Sequence, residues 1–510
     1  MRYKICVLFL LIFCSSVFGL GDKACLVGGS SASVWNAGWY SSEIIDASDA
    51  AGPNGAALDT FIGLSVKEST EVAGKVQIYG LAGEFDSSVV VGAYANVQFN
   101  GYGTYVDGRY EILNIDEVGG VYIEIDVPYD VDITDNCDGY IGGARPATTA
   151  ELQDIFDDVT NGSAASNDVN IYMYGTATIT AQLDLDAAVG GSTNTRWRLI
   201  GVNSSYEEDG TRAVITTASS ITSLIKITTI DYLEFRHIDF DGNSNATYCI
   251  YAAANGDGRY TTFDDCLIHD ADGVGIYYNG YGPTLIRCDV YSNNTAGFYS
   301  SSTTYYVQLI ASSFRDNGSR GIYTVLTHSF IQGCKVYGNG SNGMEVKIAN
   351  DYVAITGCTF YGNTLDGVDI TLASDNLVVV NCTSVNNGGY GYNFDTSTAG
   401  GIAFFGYNHA SSNTSGHYQI SANNPTDASF VSFKNGNNVN GTQSASQLFV
   451  DADNGDFRIK IDSELWGAGI NGTDIGWPVR EEADAGNGNG DGDTRGGHVV
   501  GLRARYKAVD

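Results

Sequence analysis

Residues 331–346 read IQGCKVYGNGSNGMEV, and residues 355–370 read ITGCTFYGNTLDGVDI. Placed one above the other, the two segments share a frame. An apolar residue stands three places before Cys334 and Cys358, another apolar residue two places after, Asn five places after and Gly nine places after, followed by an apolar-x-apolar strand. Working outward, the Cys-type position recurs as Ile238, Cys266, Cys288, Ser312, Cys334, Cys358 and Cys382. The apolar residue ahead of it is Phe235, Phe263, Leu285, Leu309, Ile331, Ile355 and Val379, and the one behind it runs from Phe240 to Phe360, with Ser384 the exception. The Asn column is Asn243, Asn293, Asn317, Asn339, Asn363 and Asn387, and the Gly column is Gly275, Gly297, Gly321, Gly343, Gly367 and Gly391. Most units are 22 to 24 residues long, and the first is lengthened by an insertion near residues 243–248.

Columns kept in register over so many units require a chain that returns to the same place on each turn. Each unit holds three short strands of period 2 separated by turns, and each strand lies over its predecessor at the parallel spacing of about 4.8 Å. Like residues then stack: apolar ones as a continuous core, Asn as a ladder of amides serving turn backbone, and Gly where a positive φ is wanted. The stacked cysteines are expected to be buried thiols behaving as small hydrophobes, because no Cys-x-x-Cys or His pattern for metal accompanies them. The expected fold is all-β, a parallel β-helix of three-strand coils with a small N-terminal β domain.

The rest of the chain is read around this core. Arg2, Lys4, the apolar run 5–13 and Val17-Phe18-Gly19 form a signal peptide over residues 1–19, too short to span a bilayer, so a secreted or cell-surface protein without membrane insertion is expected. Residues 20–146 lack the repeat, and alternation at 110–115 and 121–125 suggests a small β domain in which Cys25 and Cys137 are a possible disulfide pair. Thr148 and Glu151 form a capping box ahead of Leu152, Ile155, Phe156 and Val159, with Gly162 as the stop, which reads as a helix closing the end of a solenoid over 147–450. Residues 451–510 form a C-terminal segment. Its Asn487, Asn489, Asp491 and Asp493 alternate with Gly, which reads as a flexible tail or as oxygens for Ca²⁺.

On the Asn column and the Gly-apolar-x-apolar strands, the chain resembles the pectin lyase-like family of right-handed β-helices over roughly 147–450. That resemblance implies a right-handed coil, and a substrate groove along the face that follows the repeated Gly. The outward column there reads Tyr277, Tyr299, Tyr323, Glu345, Asp369, Asn393; the next reads Asn279, Ser301, Val325, Lys347, Thr371, Asp395. The three tyrosines combine an apolar ring with a polar tip and are the expected substrate-binding residues. Glu345 and Asp369, one rung apart, disfavour joint ionisation, so one pKa rises or a cation such as Ca²⁺ binds between them. In a uronate lyase Glu345, Asp369 and Asp395 would hold the ion and Lys347 would remove the proton; in a glycosidase the carboxylates would be acid and nucleophile.

Two further clusters are candidates. Arg236, His237, Asp265 and Arg287 lie with Asp239, Asp264 and Asp289 on the first coils, and His269, Tyr291, Arg315, Tyr337 and Tyr361 form an exposed column that could bind sugar. The signatures of pectate lyases and polygalacturonases, and the Gly-x-Ser-x-Gly, His-Glu-x-x-His and phosphate-loop motifs, do not occur. A net charge of −33 excludes a nucleic-acid partner, which needs clustered cations. Two functions stay open: a secreted protein that binds and cleaves a polysaccharide, as a lyase on an acidic glycan before a hydrolase, or a non-catalytic adhesin or tailspike-like protein using the solenoid as a rigid spine.

Overall fold

The computed structural model describes strand Ser42–Asp46, most of residues 59–146, parts of 149–156, residues 169–186 and most of residues 197–477. The signal-peptide reading, Cys25 and the Asn/Asp/Gly tail lie outside the described residues. Two compact units are present, one spanning Asp59–Gly142 and the other most of the rest.

The larger unit is a parallel β-solenoid. Each coil gives one strand to each of three sheets. Among the described residues the first sheet stacks twelve strands, from Ala144–Pro146 to Ile402–Gly406; the second stacks eleven, from Thr176–Ile179 to Val439–Asn440; the third stacks ten, from Leu183–Leu185 to Gly416–Ile420. The repeat predicts the register: Phe235 pairs with Phe263, Phe263 with Leu285, Leu309 with Ile331 and Ile355 with Val379. These side chains point inward into one continuous core, where Phe235 and Phe263 stack at 5.2 Å.

Two ladders satisfy the buried backbone at the corners. Asn293, Asn317, Asn339, Asn363 and Asn387 each donate from Nδ2 to Oδ1 of the Asn one coil on, at 2.9–3.0 Å. The same Oδ1 accepts the backbone N–H of the preceding Asn, as from Asn339 to Asn363 at 3.2 Å. Asn243 stands outside this ladder. It has a positive φ, and its amide serves Thr217 O at 2.9 Å, because Ala271 occupies the next rung. Cys266, Cys288, Cys334, Cys358 and Cys382 are buried as expected, and each thiol donates to a first-sheet carbonyl of the preceding coil, as from Cys288 to Phe263 O at 3.3 Å. Burial raises the Cys266, Cys334 and Cys382 thiols well above their ordinary range, so they stay protonated donors.

The N-terminal end of the solenoid is covered, and the C-terminal segment lies along one of its faces. Leu152 and Phe156 of the expected capping helix are fully buried in the solenoid core. Gln153 exchanges two 2.8 Å hydrogen bonds with the backbone of Asp184 on the exposed edge of the third sheet. Residues 445–477 pack an apolar cluster on the outside of the second sheet, with Leu448, Phe457, Leu465 and Ile475 against Tyr361 and Val385. A fully buried His409 ties this segment down: its Nε2 meets Glu464 at 2.9 Å and its Nδ1 meets Thr383 Oγ1 at 2.8 Å. The smaller unit is a closed antiparallel barrel of six strands between Asp59 and Ile141, with Val66, Ile78, Ile112, Ile125 and Cys137 in its core. Strand Ser42–Asp46, ahead of the barrel in the chain, pairs with Ala144–Pro146 and Val169–Tyr174 of the first solenoid sheet. In the chain the barrel therefore lies between two segments of the larger unit, Trp39–Leu58 and Gly143–Asp510.

Two measurements check this account. Asn363→Ala removes two donated bonds and orphans the Asn339 N–H, so it should cost about 2–4 kcal/mol in denaturant unfolding, whereas Asn243→Ala should cost well under that. Burial holds the His409 imidazole below its ordinary pKa, and hydrogen bonds from His409 and from the Gln443 and Thr442 backbone hold Glu464 down at about 2 despite its own burial. Both depressed values stabilise the fold at neutral pH. The His409 share is lost as pH falls below about 6.5, and the Glu464 share as it falls below about 4.5. Trp466 and Trp477 fluorescence during acid titration should report the segment loosening in that order, and His409→Phe should remove the first stage.

Candidate functional site

The repeated Gly that opens each third-sheet strand is required by close approach. A Cβ on Gly321 would lie 2.7 Å from Gly343 O and 2.8 Å from Asn339 Nδ2, and Gly343 meets Gly367 O and Asn363 in the same way. A positive φ is not the reason, since neither residue adopts one. This tight stacking sets the outward residues directly over one another: Tyr277 on Tyr299, Tyr299 on Tyr323, Tyr323 on Glu345, Glu345 on Asp369 and Asp369 on Asn393. The tyrosines stack face to face, at 5.3 Å and 24° for the first pair and 4.8 Å and 16° for the second, and Tyr251 extends the ladder below Tyr277. Their faces cover one another, so edges and hydroxyls are what they offer outward.

Where tyrosines give way to carboxylates, the turn residues ahead of each Gly supply partners that the repeat did not reveal. Arg320 pairs with Glu345 and lies over the Tyr323 ring at 5.0 Å. Asn342 donates to Asp369 at 3.2 Å, and Asn393 donates to Asp366 at 3.0 Å. Each turn side chain thus meets the outward residue one coil further on. Burial, followed by the nearby charges of Asp366 and Glu345, raises the Asp369 pKa to about 6 against the opposing pull of Arg320. Burial also raises Asp366. Lys347 is exposed and donates to the Tyr323 hydroxyl at 2.9 Å. That bond and the phenol's charge raise its pKa, so it holds its proton rather than acting as a base.

Several expectations change. Glu345 and Asp369 are adjacent, but Arg320 already neutralises Glu345 and an amide N–H faces Asp369, so the pair does not fit as a Ca²⁺ site. Asp395 lies outside the described residues. Ser301 meets Asn279, but Val325 does not continue that column. Two extra residues bulge the strand, so that Thr303 pairs with Val325, and a buried Asn279 holds the bulge through the Ser301 and Ser302 backbone.

The cluster on the first coils is an ion-pair network. Arg236 meets Glu234 and Glu208, Arg198 meets Glu234, Arg212 meets Asp265, and Arg287 meets Asp264. His237 is held low by burial between them. Four arginines balance four carboxylates, which leaves no surplus charge for a ligand. The His269 column is likewise occupied. His269 stacks on Tyr291 at 4.6 Å, Arg315 lies over Tyr291 at 4.1 Å, and Phe457 packs on Tyr337 and Tyr361. A cleft of ≈ 260 Å³ remains there, lined by Arg315, Tyr337, Tyr361 and Asp453. Asp241, His269 and Asp270 converge closely enough to hold a metal ion. Burial opposes charge on His269, but hydrogen bonds to Asp239 and Asp270 raise its pKa to about 9.

Residues 248–415 match the family described as "Right handed beta helix region", and this part of the chain is a right-handed parallel β-helix. No curated protein matches the sequence. Among solved structures, the chain is similar to pectate lyase Pel9A (18% identity, 61% of this chain and 88% of that one, TM-score 0.47). It is also similar to the A-module of the Azotobacter vinelandii mannuronan C-5 epimerase AlgE4 (14%, 54% and 85%, TM-score 0.39) and to the Dettilon tailspike protein gp208 (13%, 53% and 64%, TM-score 0.33). These likenesses are of fold alone. Among the described residues no helix is long and apolar enough to cross a membrane.

The raised Asp369 carries a sign that can be checked. A carboxyl whose pKa is higher folded than unfolded costs stability above that value and relieves the cost as pH falls towards 3.8. Asp369→Asn should therefore raise Tm at pH 8 and leave it nearly unchanged at pH 4, and carboxyl ¹³C NMR should place the wild-type titration near pH 6.

Proposed function

We propose that the third-sheet face binds an acidic polysaccharide laid along the solenoid axis, and that Asp369 moves the proton in a lyase reaction on it. The observation that carries this reading is the meeting, on one rung-registered column, of a tyrosine ladder, two cations and a half-buried carboxyl of pKa about 6. A linear polymer suits a surface that repeats along one axis. Lys347, held in its charged form, can neutralise a uronate carboxylate and stabilise the negative charge that develops when the adjacent carbon loses its proton, while Arg320 holds Glu345 beside it. Asp369, ionised above about pH 6, is the base: it takes the proton at C5, the electron pair forms the C4–C5 double bond, and the C4–oxygen bond breaks. Lys347 thereby passes from base to charge stabiliser. A hydrolase would need both carboxyls, and Glu345 is committed to Arg320. Export through the leader-like segment would bring the face to its polymer outside the cell.

Purified protein incubated with polygalacturonate, alginate and other polyuronates, with absorbance read near 235 nm, tests the proposal. Asp369→Asn should lower the rate by at least about 100-fold, and Lys347→Ala should lower kcat as well as raise KM. Binding without product, abolished by Arg320→Ala and Lys347→Ala, would replace the lyase with a non-catalytic adhesin or tailspike-like role. Neither binding nor product would overturn the assignment of this face.

A further inference from the structure

The solenoid turns each corner on a residue in the left-handed region. At the first two corners many of these residues are ones that tolerate that conformation: Gly333, Gly357 and Asn381 between the first and second sheets, and Asp316, Gly338 and Asn386 between the second and third. The corner between the third sheet and the first departs from this. There the left-handed residues are Tyr232, Tyr260, Tyr306, His328 and Tyr352, at φ between 50° and 63°, with Gly282 among them. An aromatic residue in that conformation costs on the order of 1 kcal/mol or more. Burial does not compensate, since Tyr260, Tyr306 and Tyr352 are 43%, 45% and 58% exposed. Neither backbone preference nor core packing accounts for the tyrosines, whereas His is a residue type that tolerates this conformation.

Tyr232 and Tyr260 stack face to face at 5.1 Å and 19°, whereas the rings from Tyr306 to Tyr352 are tilted. Tyr306 and His328 lie 5.6 Å apart with planes at 33°, and His328 and Tyr352 lie 5.7 Å apart at 37°. Rings tilted in this way leave part of each face open to solvent. At the break in the series a Cβ on Gly282 would lie 2.8 Å from the Tyr260 ring, which leans over that rung. Beside the corner, the outward residues of the first sheet carry no charge from Thr284–Ile286 through Leu377–Val380. They include Ile286, Gln308, Ile310, Phe330, Gln332 and Thr356, all partly exposed. In a chain of net charge −33 such a face stands apart.

We infer that this corner and the adjoining first-sheet face form a second glycan-binding surface, for a neutral polysaccharide. Open aromatic faces at successive rungs match the apolar faces of successive sugar rings, and the Gln and Thr side chains beside them can exchange hydrogen bonds with hydroxyls. Among the described residues the cations beside this surface, Arg259 and Arg287, are paired with Asp231 and Asp264, and the chain's net charge opposes a polyanion. That same charge opposes a second copy of the protein docking face to face. The surface is separate from the Asp369 site and does not depend on its function.

Affinity electrophoresis in gels containing hydroxyethylcellulose, xyloglucan, laminarin or galactomannan, beside gels with polygalacturonate, tests this. Wild type should be retarded by at least one neutral polymer. The triple variant Tyr306→Asn/His328→Asn/Tyr352→Asn should weaken that retardation about tenfold, with Tm unchanged or higher because Asn tolerates the left-handed region. Lys347→Ala should leave it unchanged. If the triple variant unfolds, Tyr352→Asn alone carries the comparison. Three results would overturn the inference: no retardation by any of the four polymers, retardation untouched by the aromatic variants, or a wild-type dimer in sedimentation that the aromatic variants dissociate.

Discussion

The structure depends on lateral register between successive coils. Parallel strands about 4.8 Å apart bring each side chain onto the equivalent side chain of the next turn, so a chemical choice at one position becomes a column. Apolar columns make a core without gaps. A polar column inside that core survives only if every member bonds the next, and the Asn ladder meets this condition by having each amide act as donor to one neighbour and acceptor from another. The thiol column meets it more weakly, with S–H groups turned to carbonyls of the coil before. At either end of a ladder the rule must change. Ala271 begins the Asn series by donating its backbone N–H to Asn293, and Asn408 takes over from cysteine after Cys382, accepting the Cys382 N–H and donating to Val379 O.

Register also explains how much of the protein can be read from its sequence. The coil, its three strands, the inward columns and the buried thiols are legible because each leaves the same residue type at a fixed spacing. The tyrosine, Glu345 and Asp369 column is legible for the same reason. Arg320, Asn342 and Asp366 are not: they lie in turns where residue type varies from coil to coil, and each reaches its partner one coil further on, at a separation of 25 to 27 residues rather than two. The period-2 pattern shows Lys347 on the third-sheet strand, but its neighbour is the phenol on the preceding rung rather than the carboxylates. The two-residue bulge at Ser301–Ser302 is invisible to a periodic reading that assumes constant strand length. The inserted barrel leaves no periodic signal either, so the contribution of Ser42–Asp46 to the first sheet appears only in three dimensions.

Charge separates the faces of the solenoid. On the first coils, acids and arginines of the first sheet neutralise one another; the second sheet's acids hold His269 and Arg315 and lie near the C-terminal segment; the third sheet collects Glu345, Asp366 and Asp369 beside two cations. Burial first, and then the neighbouring charges of Asp366 and Glu345, raises the Asp369 pKa to about 6. A single carboxyl poised in this way, flanked by fixed positive charge, is suited to taking a proton from a carbon next to a carboxylate.

Ring orientation divides the two aromatic ladders in the same manner. On a flat sheet, adjacent tyrosines at strand spacing are pressed face to face, so the Tyr277–Tyr323 series presents hydroxyls and edges and behaves as a polar rail beside the carboxylates. At the corner from Tyr306 to Tyr352 the backbone turns on left-handed residues, the rings tilt by 33–37°, and part of each face stays open at the cost of backbone strain. The same residue type in the same fold therefore makes two different surfaces. One is fitted to hydrogen bonding and charge, the other to apolar contact, and the difference arises from whether the tyrosine sits within a strand or between two.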